Sequence, residues 1–294
     1  MSNILQSDIW ARFQESNGHT VIRKSGNGWS YLATVEGGAT GRYLYSPYGP
    51  VASSAVAFDE ALASLKEEAA KLRCLFVRIE PTESAIWGDQ DAAAFLARRG
   101  AVLAPRQVQP SHTQIIDLSG TEDEIIKGMI SGYRTRHRNI HKKGVTVEVS
   151  TNPSDMSILF GFLEETAERN GFNRQHDDYL MQAARVLMPA GAASLYIAKL
   201  AGENGESAPI AAAFVYDSDD TRTYAHAAAS FEHRTLSAGV VVMTNLILDA
   251  KRKGLKYVDL FGIAPEDQPD HEWAGFTTFK KSFGGESVEY PGTW

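Results

Sequence analysis

The chain has 294 residues, 43% of them hydrophobic and 22% charged, more than one ordinary core requires, so the length points to two domains and excludes a disordered or fibrous chain. Lys and Arg total 29 against 36 Asp and Glu, a net charge of −7, which argues against a protein built to coat nucleic acid or anionic membrane and leaves room for a local basic patch. The one cysteine, Cys74, excludes an intrachain disulfide framework and a zinc site of several thiolates.

The first residues show neither a basic nor an apolar leader pattern, and no later apolar run reaches bilayer length, so the expectation is a soluble, cytoplasmic protein without stable membrane insertion. Helical and strand periods then alternate without a solenoid repeat, a mixed α/β (α+β) pattern. Residues 20–22, 29–34 and 42–45 read as strands, the last ended by Ser46-Pro47-Tyr48-Gly49-Pro50. Residues 58–72 read as an amphipathic helix with Leu62, Leu65, Ala69 and Leu72 on one face, 74–79 as a buried strand stopped at Pro81, and 91–99 as a helix closed by Gly100. The stretch from Ala104 to Pro110 fits neither period, so we expect one domain over 1–108 and another over 109–294, the last residues being candidates to return to the first.

The second part opens with a strand over 113–118 and a helix running from the capping box Thr121-Glu122-Asp123-Glu124 toward Tyr133. A strand over 145–149 and a helix over 153–170, with Leu159, Phe162, Leu163 and Thr166 on its apolar side, come next. Strands over 194–200, 210–216 and 222–227 belong to one sheet, and a helix over 236–253 ended by Gly254 leads to a strand over 257–260. Two helix-containing sheet domains in tandem suit a substrate cleft between them.

Four features invite a chemical reading. Arg134, Arg136, Arg138, Lys142 and Lys143, interleaved with His137 and His141, form the densest basic run, either a site for a polyanion or a solvated helix face. Arg169 and Arg174 flank the expected end of a helix, where a guanidinium binds phosphate bidentately or merely complements the helix dipole. Lys280, among the aromatic residues of Phe276 to Phe283, suits an oxyanion, although the plainer reading puts the phenylalanines in the core and the lysines at the surface. His226 lies among small residues of a strand, where histidine is usually a filler. His112, His176, His233 and His271 lack metal spacing, and HExxH, GxxxxGK[ST] and GxSxG are absent. A clean acyl-CoA loop of the Q/R-x-x-G-x-G/A type is absent too; the segment from Arg234 to Gly239 has the wrong spacing.

Taken in order, several segments resemble the FemABX family of peptidoglycan-bridge aminoacyltransferases: Gln6-Ser7-Asp8-Ile9-Trp10, Tyr45 to Val51, Val77-Arg78-Ile79-Glu80-Pro81, Ile115-Ile116-Asp117-Leu118 with the basic helix after it, Glu165 to Phe172, Tyr257 to Ile263, and Phe279-Lys280-Lys281-Ser282-Phe283-Gly284-Gly285. The resemblance implies two tandem GNAT-like domains, an aminoacyl-tRNA donor, an acceptor amine on the stem peptide of a UDP-linked or lipid-linked muropeptide, and no metal or CoA. The spacing after Arg169 leaves no room for the coiled-coil arm of some members, so the chain is more similar to the compact ones, which use a soluble nucleotide-linked muropeptide.

Residue by residue, Lys280 after Phe279 matches an FK pair whose lysine is proposed to stabilise the anionic tetrahedral intermediate. Arg174, followed by Tyr179, matches an arginine that holds the diphosphate of the uridine nucleotide, in keeping with the bidentate geometry above. Glu80 stands at the acidic position of an R-x-D-P motif, where a carboxylate orients or deprotonates the attacking amine. Arg134, Arg136, Arg138, Lys142 and Lys143 are the candidate tRNA contact. Gln14 stands where compact members have a lysine and His226 where they have a tyrosine, with Lys24 or Arg12 as the compensating cation. The acceptor and the oligomeric state stay open. So do two other functions: an N-acyltransferase using another acyl donor, and a non-catalytic protein binding nucleotide sugars or exopolysaccharide precursors.

Overall fold

The computed structural model describes residues 1–38, 41–171, 174–202 and 204–294; Phe172, the end of one segment quoted above, lies outside the described residues. The chain divides into two compact units, one comprising Asn3–His112 with Glu289–Trp294, the other Met1–Ser2 with Thr113–Val288.

In the first unit, Ser7 accepts the Trp10 N–H and starts α1 (Asp8–Ser16), which buries Trp10 and Phe13. The antiparallel strands β1 (Val21–Gly26), β2 (Trp29–Gly38) and β3 (Gly41–Ser46) follow, with the short β4 (Val51–Ala52) pairing on β2. Helix α2 (Ala55–Lys71), capped by Ser54, returns the chain so that β5 (Val77–Ile79) lies parallel to β3; α3 (Ala92–Ala97), capped by Asp91, comes next. The helical spacing of Phe58, Leu65 and Ala69 buries one face of α2 in a core with Tyr31, Ala33, Leu44 and Phe95. The end of the chain packs in this unit: Trp294 and Ile79 exchange both backbone hydrogen bonds at 2.9 Å, and Thr293 O accepts from Ala104 N.

The strand expected over 74–79 is shorter than its apolar run. Arg73 takes a left-handed turn (φ 54) and Leu75 N is held by Arg42 O, so Leu75 and Phe76 come out 74% and 47% exposed before pairing begins at Val77.

The second unit contains β6 (His112–Asp117), α4 (Glu122–Gly128), α5 (Ser131–Asn139), β7 (Val145–Ser150), α6 (Met156–Asn170) and α7 (Asp177–Leu187). It continues with β8 (Ala193–Ala201), β9 (Ser207–Asp217), β10 (Thr221–Ala229), α8 (Ala238–Arg252), β11 (Tyr257–Gly262), α9 (Ala274–Lys281) and β12 (Glu286–Glu289). The sheet order is β12-β6-β11-β10-β9-β8-β7. The capping box at Thr121 forms as expected, but the helix it starts breaks at Met129 and Ile130, both extended; Arg134 donates to Met129 O (2.5 Å) and Lys127 O (3.1 Å) and so caps the end of α4. Helix α7 was not expected, although Leu180, Ala183, Ala184 and Leu187 recur at helical spacing and form its buried face.

Helix α8 is buried over most of its length against this sheet. At its side Arg222, fully buried, donates to Asp217 (2.7 and 2.6 Å), Asp249 (3.0 Å), Leu246 O (2.9 Å) and Tyr196 Oη (2.6 Å), tying β8, β9, β10 and α8 together. Burial raises the Asp249 carboxyl, but its bonds from Tyr196 and Arg222 outweigh this and hold it below the ordinary range. The contribution of Asp249 to stability is therefore complete above the usual carboxylate range and is lost as pH falls through the depressed value. Arg222→Met, which leaves Asp217 and Asp249 only the half-exposed Lys253 and, for Asp249, the Tyr196 hydroxyl, is expected to cost about 3 kcal/mol in urea unfolding at neutral pH, with a smaller penalty in acid.

Candidate functional site

In the second unit, Lys280 and His226 each lie beside an irregularity that begins where two neighbouring strands part. β10 and β11 pair in parallel from Thr221 and Tyr257 only as far as Thr223 and Asp259. Beyond that point β10 shifts register against β9 between Tyr224 and His226, and β11 shifts against β6 between Asp259 and Gly262. The second irregularity is stapled by Asp259, whose Oδ1 accepts from the Thr113 hydroxyl and from Phe261 N (2.7 Å). Phe261 is thereby held at φ 62, an uncommon conformation for a bulky side chain. The resulting bulge presents the Gly262 carbonyl to α9, where it accepts from Lys280 Nζ at 2.6 Å.

Lys280 is buried, and Nζ lies 4.9 Å from the centre of the Phe276 ring. Desolvation pushes its ammonium down to about 8, against the opposing pull of the Asp259 carboxylate. An ammonium has three N–H donors, of which Gly262 takes one. The plainer sequence reading, lysines at the surface, applies to Lys281, which pairs with Glu266 (2.8 Å), and fails for Lys280. Phe279 packs against Tyr133 and Phe283 at 6.0 and 5.1 Å between ring centres and faces Gly239 on α8, so it anchors the helix that carries Lys280.

His226 follows the β10 irregularity, with the Tyr216 ring 6.2 Å away. Burial pushes its imidazole down to about 4, leaving it neutral at ordinary pH. Tyr179 on α7 lies close enough to Tyr216 to raise its hydroxyl further, beyond the larger effect of burial, so Tyr179, Tyr216 and His226 form one neighbourhood. Arg174 places its two terminal nitrogens on the Asp177 carboxylate, Nη2 at 3.2 Å, and Nη1 also donates to Gln175 O; an incoming anion has to displace Asp177. Of the basic run, Arg134 is spent on the end of α4, whereas Arg136, Arg138, Lys142 and Lys143 are exposed. His137 buries an Nδ1 that has no hydrogen-bond partner among the described residues, and its pKa is lowered by desolvation and by Arg252.

Glu80, Gln14 and Lys24 belong to the first unit. Glu80 is buried and its carboxylate accepts from Tyr45 Oη (2.7 Å), Thr293 Oγ1 (2.5 Å), Gln109 N (3.0 Å) and Tyr48 N (3.5 Å). It therefore stitches β3, the turn after it, the 107–109 segment and the C-terminal residues together. Gln14 is buried on α1, and Lys24, half exposed on β1, pairs with Glu68 at 3.5 Å. Residue patterns singled out neither Asp259 with Thr113 nor Tyr216. Asp259 did lie inside a quoted motif, and an Asp two residues before a Phe-Gly pair is the available signal for an Asx-type turn.

Among the described residues, no group of His, Cys, Asp and Glu is arranged to hold a metal ion, and no helix is long and apolar enough to cross a membrane.

Residues 131–273 match the family model described as an acetyltransferase (GNAT) domain. No curated protein matches the sequence. Among solved structures, a crystal structure of FemX superposes with a TM-score of 0.87 at 19% identity, covering 99% of this chain and 91% of that one. The L-PGS structure from Bacillus licheniformis gives 0.58 at 12% identity (99% and 91% covered), and a tandem GNAT protein from the clavulanic acid biosynthesis pathway gives 0.56 at 17% (94% and 82%). The fold is thus that of a tandem GNAT protein, with an acyltransferase-type domain in the second unit. Within that class its fold resembles that of FemX.

A lysine whose folded pKa lies near 8 rather than the ordinary 10.5 binds its proton less tightly folded than unfolded. Stability is therefore expected to rise between those two pH values, by at most about 1.4 kcal/mol per pH unit from this residue. The difference in unfolding free energy between the native chain and Lys280→Met, followed across that window, isolates the slope.

Proposed function

We propose that the protein is an aminoacyltransferase that moves an amino acid from aminoacyl-tRNA to an amine on the stem peptide of a peptidoglycan precursor. The buried Lys280 ammonium, fixed on the Gly262 carbonyl where β10 and β11 part, is the observation that carries this reading. The overall likeness to FemX supports it.

In the reaction the neutral acceptor amine attacks the ester carbonyl of the donor, forming the C–N bond and a tetrahedral intermediate with an anionic oxygen. Collapse breaks the C–O bond to the tRNA ribose, whose oxygen leaves with the proton lost by the amine. Lys280 donates an N–H to the developing oxyanion; held rigidly in a desolvated site, it stabilises the transition state more than the ground state. Phe279 keeps α9 in register. Arg174, released from Asp177, holds the diphosphate of a nucleotide-linked acceptor, with Tyr179 beside it. His226, being neutral, offers a hydrogen bond rather than a charge. Gln14 and Lys24, in the first unit, are assigned to substrate binding on the family resemblance alone. Glu80 is assigned to positioning rather than proton abstraction, since four donors already occupy it. Arg136, Arg138, Lys142 and Lys143 form the cationic surface for the tRNA backbone, with Arg134 behind them.

A second reading, acyl transfer from a different activated donor, is favoured by the GNAT-domain match over residues 131–273. Radiolabelled amino acids supplied on a pool of charged tRNA, with a uridine-diphosphate muropeptide or its lipid-linked counterpart as acceptor, separate the two. Label is expected in a muropeptide, and Lys280→Met is expected to lower kcat by about 10²–10³ with little change in acceptor KM. The wild-type kcat should fall as pH rises through about 8, where Lys280 loses its proton. Arg174→Ala is expected to raise KM for the nucleotide-linked acceptor by about tenfold or more. Transfer from acyl-CoA but not from tRNA would establish the second reading, and an undiminished rate in Lys280→Met removes the lysine from the mechanism.

A further inference from the structure

The first unit contains a groove of about 620 Å³ that the acyl-transfer reading does not use. Its floor is apolar, built from Leu62 and Ala69 of α2, Val77 and Ile79 of β5, and Trp294. Its rim is apolar as well and lies open to solvent: Leu75 is 74% exposed, Phe76 47%, Val102 79% and Leu103 53%. Four large side chains from two neighbouring loops at one groove make a contiguous patch of the kind that marks an interaction site rather than scattered surface residues.

The charges around it are one-sided. The lining includes Lys66, Arg78 and Arg99 and no Asp or Glu side chain, in a chain whose net charge is −7. Arg99 is paired with Asp59 at 2.5 Å. Arg78 lies over the Tyr43 and Phe76 rings and donates to Tyr43 Oη, with no carboxylate partner among the described residues. Lys66 is exposed and has none either. The adjacent carboxylates of α2, Glu67 and Glu68, are held by Lys71 at 2.7 and 3.0 Å.

We propose that this groove docks the protein on an anionic bilayer: Leu75, Phe76, Val102 and Leu103 enter the boundary between headgroups and acyl chains, the groove takes up an acyl chain, and Lys66 and Arg78 meet the lipid phosphates. Side chains exposed to this degree gain from entering a fluid apolar phase without needing a shaped counterpart. Cations at the same depth add attraction to anionic headgroups, which falls off within a Debye length. A peptide added as a further strand is disfavoured, because Trp294 already occupies the hydrogen bonds of Ile79. The contact is peripheral and reversible, since it rests on a few side chains and not on a spanning helix.

Flotation of the full chain tests this with vesicles of pure phosphatidylcholine and of equal parts phosphatidylcholine and phosphatidylglycerol. Binding is expected to the second only and to weaken with added salt. The double variant Leu75→Asp, Val102→Asp, at two exposed positions, should reduce partitioning about tenfold or more with an unchanged circular dichroism spectrum, and Lys66→Glu should also reduce it. Absence of flotation with the anionic vesicles, equal flotation with both, or full binding by the double variant would overturn the proposal. So would a dimer in sedimentation that the double variant breaks without any vesicle binding, which would make the occupant a second copy of the chain. No acyl transfer is read in this assay, so either proposal can fail without the other.

Discussion

The site in the second unit depends on one carboxylate. Asp259 binds the Thr113 hydroxyl and the Phe261 N–H, which holds β11 in a bulge and Phe261 at a positive φ. Without that staple, a regular strand would continue its pairing and its carbonyls would remain in the ladder. With it, β11 leaves β10 after a three-residue match, and the Gly262 carbonyl becomes available to fix Lys280. The parted strands, the fixed amine and the strained backbone are thus consequences of a single local arrangement, whose conformational cost is carried by the surrounding core.

That core has to be rigid on the side where the strands still pair. Arg222 supplies this rigidity: it lies on the paired stretch of β10 and joins two carboxylates, a tyrosine hydroxyl and a helix carbonyl. A buried ion network of this kind is not a cheap source of stability, because its charges have to be taken out of water. Its value here is geometric, since it holds α8 and three strands in one register immediately before the strands separate. Lys280 sits at the opposite extreme, a buried cation with a carbonyl, a ring face and a more distant carboxylate for company. Such an amine is held in place while keeping donor capacity for a reacting group.

Much of the architecture was legible in the pattern of residues. Most strands of both sheets, though not β4 or β12, the capping box at Thr121 and the long helices α2, α6 and α8 follow from apolar periodicity and end signals. Lys280 was singled out by its place in the FK pair of the family it resembles, whereas the residue pattern alone favoured a surface lysine. Other features were not legible. Helices α7 and α9 were not among the elements expected, and the break at Met129 and Ile130 occurs in residues that are acceptable helix formers, so only packing reveals it. Leu75 and Phe76 read as core because their hydrophobicity is all that a sequence displays; the left-handed turn at Arg73 sends them outward.

The sequence by itself determined the mixed α/β class, the two-part division of elements and the short set of residues worth testing, because periodicity, caps and residue chemistry are properties of neighbours along the chain. Tertiary structure decided what each of those residues is free to do. Glu80 is saturated by four donors, from Tyr45 to Thr293, Arg134 is spent on the end of α4, and Arg174 is closed by Asp177. Lys280, alone of its pair, is withdrawn from water. A side chain's charge state and available donors depend on desolvation and on partners remote in sequence, such as Thr113 for Asp259, and those are set only when the chain has folded.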